Sequence, residues 1–124
     1  MRKISELSTD VAADVICEII PYIEEIITDE ELMAEIKSKL NLSKGANKIE
    51  FFAVMVNKIT KIAPILLKKR RNAVYGILSA FNETSAEMIG KQNVLVTICQ
   101  IRELVKDKQV MELFTSYGKQ EETE

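Results

Sequence analysis

Apolar residues recur at spacings of three and four along most of this chain, cut into short runs by polar caps, prolines and glycines. That is the period of helices with one face turned inward. Ser8 or Thr9 opens the first, with Asp10 in its first turn facing the positive end of the helix dipole, and Val11, Val15, Ile16 and Ile19 form its stripe. Pro21 removes a backbone donor, so the pattern predicts a break or kink at Ile20. Pro21 then suits the first turn of a short second helix bearing Tyr22, Ile23, Ile26 and Ile27. Thr28-Asp29-Glu30-Glu31 has the form of a capping box with Thr28 as N-cap, and Ile27 and Leu32 stand where a hydrophobic staple needs them. Leu32, Met33, Ile36 and Leu40 continue the stripe, and Asn41 to Ala46 reads as a loop.

Asn47 with Glu50 three residues on predicts another cap. Behind it, Phe51-Phe52-Ala53-Val54-Met55-Val56 is apolar all round a helix, which predicts a central position covered on most sides. Ile59, Ile62 and Ala63 extend it until Pro64 interrupts the ladder. The next stripe is Val74, Ile77, Leu78 and Phe81, with Gly76 inside it. A mid-helix glycine costs about 1 kcal/mol relative to alanine, and here it marks close helix contact. Thr84-Ser85-Ala86-Glu87 repeats the capping-box form ahead of Met88 and Ile89, with Gly90 or Asn93 ending the helix. Val94 to Cys99 is β-branched enough for a strand, yet Val94, Ile98, Ile101 and Val105 keep a helical period over a longer window, and helix is the expectation. Asp107 caps a last helix with Val110, Met111, Leu113 and Phe114. The expected fold is all-α: a compact single-domain bundle of six to eight short helices over 1–117, followed by a flexible acidic tail over 118–124.

Composition narrows the chemistry. The 124 residues suffice for one domain with a core that needs no metal or disulfide support. There are sixteen isoleucines and no histidine. Hydroxyl nucleophiles therefore lack a histidine base, no phosphate-binding glycine loop is present, and two cysteines cannot supply a zinc site. The chain reads as a non-enzymatic protein without a cofactor. Cys17 and Cys99 read as reduced thiols acting as small apolar fillers, with a bridge between them the alternative in an oxidising compartment. No run is long enough to span a bilayer, and Met1 to Glu6 turns acidic before any apolar stretch, unlike a secretory signal.

Net charge is −2 but segregated: residues 1–47 carry 5 basic and 10 acidic side chains, 48–71 carry 7 and 1, and 72–124 carry 5 and 8. The basic middle can pair within the molecule, between copies in a homo-oligomer, or remain solvated surface. Its densest part, Lys68, Lys69, Arg70 and Arg71, is a candidate contact for phosphate or an acidic protein surface, against the plainer role of offsetting a helix dipole. The near-neutral total charge and the scarcity of nearby aromatics argue against nucleic acid. Phe51, Phe52, Met55, Ile59 and Ile62 form a stripe that is either core or a partly exposed groove; its first four residues are partner-binding candidates in the second case.

Three stretches carry a likeness. One is Ile4-Ser5-Glu6-Leu7-Ser8-Thr9-Asp10, running on to Cys17-Glu18-Ile19-Ile20-Pro21-Tyr22-Ile23 and Thr28-Asp29-Glu30-Glu31-Leu32. Another is Lys58-Ile59-Thr60-Lys61-Ile62-Ala63-Pro64-Ile65-Leu66-Leu67-Lys68-Lys69. The third is Ala73-Val74-Tyr75-Gly76-Ile77-Leu78 with Gln92-Asn93 and Gln100-Ile101-Arg102-Glu103-Leu104-Val105-Lys106-Asp107. In these the chain resembles the tail assembly chaperones of long-tailed bacteriophages and prophages of Gram-positive bacteria. The resemblance implies a helical protein that holds the tape measure protein while tail tube protein polymerises around it. It further implies work in the cytoplasm of the bacterial host and absence from the mature virion. It fixes no contact residue. The rival readings are a structural phage connector or minor tail protein, and a helical DNA-associated regulator using Lys68 to Arg71.

Overall fold

A computed structural model describes the backbone of residues 1–42, 45 and 47–122, and their side chains except those of 48 and 116–122. Among these the fold is all-α. A 3₁₀ turn, Ile4–Glu6, precedes α1 (Thr9–Ile27), α2 (Glu30–Leu40), α3 (Lys48–Asn57), α4 (Ile59–Lys69), α5 (Arg71–Asn82), α6 (Ala86–Lys91), α7 (Val94–Lys106) and α8 (Lys108–Glu122). Of the loop expected over 41–46, residues 43, 44 and 46 lie outside the described residues, as do 123 and 124 of the expected tail.

Local signals set most boundaries. The Val11 amide donates to Ser8 Oγ at 3.3 Å, the Glu50 amide to Asn47 Oδ1 at 2.9 Å, and the Gln109 and Val110 amides to Asp107 Oδ1 at 3.1 and 3.4 Å. These caps stand where the sequence places them. Two others are shifted by one residue. Asp29, not Thr28, caps α2, accepting from the Leu32 amide at 3.0 Å. Thr28 still has helical dihedrals and its hydroxyl donates back to the Glu24 carbonyl at 2.6 Å, so it closes α1. Likewise Ser85, not Thr84, caps α6, because the Thr84 amide is spent on the Ser79 carbonyl behind the left-handed Glu83.

Neither proline breaks its helix. α1 runs through Pro21 and α4 through Pro64. Both prolines are exposed, and so are Cys17 and Thr60, the residues one turn earlier whose carbonyls each proline deprives of a donor. The chain turns at Lys58, whose ammonium donates to the Leu40 carbonyl at 3.0 Å and so finishes α2. α8 continues past Gly118 to Glu122, where the tail was expected. One glycine costs about 1 kcal/mol, and Lys119, Gln120, Glu121 and Glu122 are good helix formers.

The centre belongs to α5. Ala73, Val74 and every residue from Gly76 to Phe81 are buried. Small side chains on several sides let neighbours approach: the Tyr22 ring of α1 lies over Gly76 where a Cβ would have to be, and the Ser79 hydroxyl is satisfied by the Gly76 carbonyl at 2.9 Å. α1 packs along α5 with Val15, Ile19, Ile23 and Ile26 inward, and α4 and α6 cover other sides. α3, expected at the centre, lies at the edge against α4 and α7. Phe51, Phe52, Val54, Met55 and Val56 are only half-buried and Ile49 is 78 % exposed. Uniform apolarity without a row of small residues gives α3 no way to be approached closely on all sides. Cys17 and Cys99 are free and exposed, so they are not the core fillers expected.

Candidate docking surface

The basic cluster divides into two pairs. Arg70 Nε binds Asp29 Oδ2 at 2.9 Å and its Nη1 lies 3.5 Å from Glu25 Oε1. Lys69 Nζ reaches Glu35 at 3.1 Å and Glu31 at 3.5 Å. These pairs clamp the C-terminus of α4 to the start of α2 and the end of α1. The Leu32 amide and then the Arg70 guanidinium hold the Asp29 carboxyl below its ordinary value. The Glu35 hydrogen bond, helped by Glu31, raises Lys69 over the opposing effect of burial. Lys68 and Arg71 remain exposed, with Arg71 Nε donating to the Leu67 carbonyl at 3.1 Å.

The apolar candidates also divide. Ile59 is fully buried and has no surface to offer a partner. Phe51 and Phe52 meet edge to face at 5.5 Å and, with Met55, remain half-buried on α3.

A further apolar surface lies outside the candidate residues. Val94, Leu95 and Val96 are 58, 68 and 46 % exposed, three large apolar side chains in succession. Successive helical residues point about 100° apart, so a helix that buries Thr97, Ile101, Leu104 and Val105 turns Leu95 and Val96 away from its inner face. Val94, expected inward from its spacing to Ile101 and Val105, is exposed in the first turn of α7. Leu95 and Val96 line a groove of about 360 Å³ together with Cys99, Leu104, Phe81 and Met1. The segment carrying Met1 is pinned at two points. Arg2 donates to the Phe81 and Ala80 carbonyls at 2.9 and 3.0 Å and pairs with Glu83 at 2.9 Å, capping α5. The Ile4 amide donates to Asp107 Oδ2 at 3.3 Å.

The groove offers oily floor and a few charges at its lip, which suits reversible capture of aliphatic side chains. Among the described residues no three His, Cys, Asp or Glu side chains gather as metal ligands, and no helix is long and apolar enough to cross a membrane. Compared with protein family models, curated proteins and solved structures, the chain matches none.

Proposed function

We propose that this chain is a non-enzymatic holding protein, a tail assembly chaperone that keeps the tape measure protein soluble while tail tube protein assembles around it. The observation that carries the reading is the exposed pair Leu95 and Val96 lining an apolar groove. Exposed aliphatic side chains beside an apolar concavity are the form an interaction site takes. The sequence likeness to phage tail assembly chaperones supplies the client's identity. Work in the host cytoplasm and absence from the finished particle belong to the same proposal.

The test is co-expression with the tape measure protein of the same phage or prophage. The native chain should raise its soluble fraction and co-purify with it. Leu95→Asp should keep its helical circular dichroism and lose the client, while Lys68→Glu with Arg71→Glu should keep both. Capture should survive high salt. Client retention by Leu95→Asp would refute the assigned surface, and failure of the native chain to bind or solubilise the client would refute the role.

The two rivals predict different outcomes: a connector or minor tail protein is found in purified particles, and a DNA-associated regulator binds DNA with a steep salt dependence. The second is disfavoured by Lys69 and Arg70, half of its basic cluster, being spent on carboxylates within the molecule.

A further inference from the structure

α5 ends in a socket that suits a guanidinium. In its last turn the Leu78 carbonyl accepts from the Asn82 side-chain amide at 2.7 Å and the Ser79 carbonyl from the Thr84 amide at 3.1 Å. The Ala80 and Phe81 carbonyls are met by Arg2 instead. Its Nη2 donates to Ala80 at 3.0 Å, its Nε to Phe81 at 2.9 Å and its Nη1 to Glu83 Oε1 at 2.9 Å. Three acceptors at the negative end of a helix thus hold one planar fork, which a lysine ammonium does not possess. Two residues on, Ile4 is buried and its amide donates to Asp107 Oδ2 at 3.3 Å. Lys3 between them is extended (φ −91°, ψ 150°) and exposed, so Arg2 and Ile4 point to the same side of the chain. The segment lies on the helices as a bound peptide does, with an arginine in a polar socket and an aliphatic side chain inward.

We infer that Met1 to Ile4 is an internal stand-in for a client segment, and that the surface beneath it is a peptide site for an arginine followed two residues on by an aliphatic side chain. The stand-in is lightly held. Of its four side chains only Ile4 is buried, and Glu83 is 72 % exposed, so its ion pair with Arg2 is weak. Segments held in this way open locally at small cost. The stand-in also obstructs. A second hollow of about 280 Å³, lined by Glu6, Asn82 and Glu83, abuts the groove beside Leu95, and Met1, Arg2 and Phe81 line both. Lifting Met1 and Arg2 joins the two into one longer trough. It also frees the Ala80 and Phe81 carbonyls, the Glu83 carboxylate and Asp107 Oδ2, while Asp107 Oδ1 keeps its place as the cap of α8. An incoming segment of the same pattern replaces each contact it displaces, so the exchange is close to balanced and the apolar wall at Leu95 and Val96 tips it. The inference rests on the holding role only in calling the incoming segment a client.

The probe is a peptide of residues 1–8, Met-Arg-Lys-Ile-Ser-Glu-Leu-Ser, labelled with fluorescein at its C-terminus, titrated into the full chain and followed by anisotropy. In the native chain the stand-in competes, and the apparent affinity falls with the fraction of molecules whose site is open. Arg2→Ala removes charge-assisted hydrogen bonds from the competitor and should bind the peptide about tenfold more tightly. Arg2→Lys, which keeps the charge beside Glu83, should shift in the same direction. Both should keep the native circular dichroism. Peptides carrying Arg2→Lys or Ile4→Ser should bind the Arg2→Ala chain about tenfold more weakly than the native peptide does. In the native chain, saturating peptide should speed hydrogen exchange of the Ile4 amide. Equal peptide affinity of the native and both substituted chains, indifference to the arginine of the peptide, or an Ile4 amide that stays equally protected at saturation would each overturn the inference. No tape measure protein enters this experiment. A chain that takes the peptide as described but fails to solubilise that client refutes the holding role and leaves the peptide site standing.

Discussion

At the scale of single residues, this fold is governed by where something small or polar stands among many aliphatics. Gly76 is the sharpest case, because the Tyr22 ring occupies the space a methyl group would need. Gly76→Ala gains helix propensity worth about 1 kcal/mol, but it must push an aromatic ring out of a packed contact. Overpacking of that kind costs about 1–3 kcal/mol. A lower urea midpoint is therefore expected for Gly76→Ala. In a Tyr22→Ala background the same substitution should be neutral or stabilising, and a double-mutant cycle on the pair measures the difference. The sequence shows Gly76 as a contact position only through its cost in a helix; the identity of its neighbour, 54 positions earlier in the chain, has no local trace.

At the scale of elements, helix identity was legible because period and cap chemistry are local properties. The β-branched run from Val94 to Cys99 is helical, as its longer period indicates, and Ser8, Asn47 and Asp107 cap where expected. The one-residue shifts at Asp29 and Ser85 arise where the preceding helix claims the threonine first. Two judgements needed tertiary information. Whether a proline ends a helix depends on the surroundings of the carbonyl it orphans, and Pro21 and Pro64, like Cys17 and Thr60 one turn earlier, are exposed residues. Which helix lies at the centre depends on shape as well as apolarity, and that favours α5 with its alanines and glycine over α3 with its phenylalanines. Because Pro21 sits mid-helix on the wet side, Pro21→Ala restores a donor for the Cys17 carbonyl without disturbing the core. The variant should be more stable by about 1 kcal/mol or more, read as a higher midpoint in chemical denaturation.

At the scale of the whole molecule, part of the segregated charge seen along the chain resolves into one internal clamp. The clamp sets a pH window. Asp29 titrates lower in the folded chain than its ordinary 3.8, so its contribution is present above that value and is lost as pH falls through the folded value. Lys69 titrates higher than its ordinary 10.5, so its contribution is present below that value and is lost as pH rises through the folded value. Denaturation midpoints should therefore decline at both extremes. Asp29→Asn, which keeps a cap oxygen, should flatten the acid limb, and Lys69→Met the alkaline one. The docking surface was the least legible feature, since Val94, Leu95 and Val96 look like any other apolar run until the register of α7 is known. The two thiols have a use that follows from their positions. Cys17 stands on the outside of α1 among its carboxylates, and Cys99 lines the groove. A maleimide footprint of the native polypeptide can therefore report whether a guest shields Cys99, with Cys17 as the reference thiol in the same molecule.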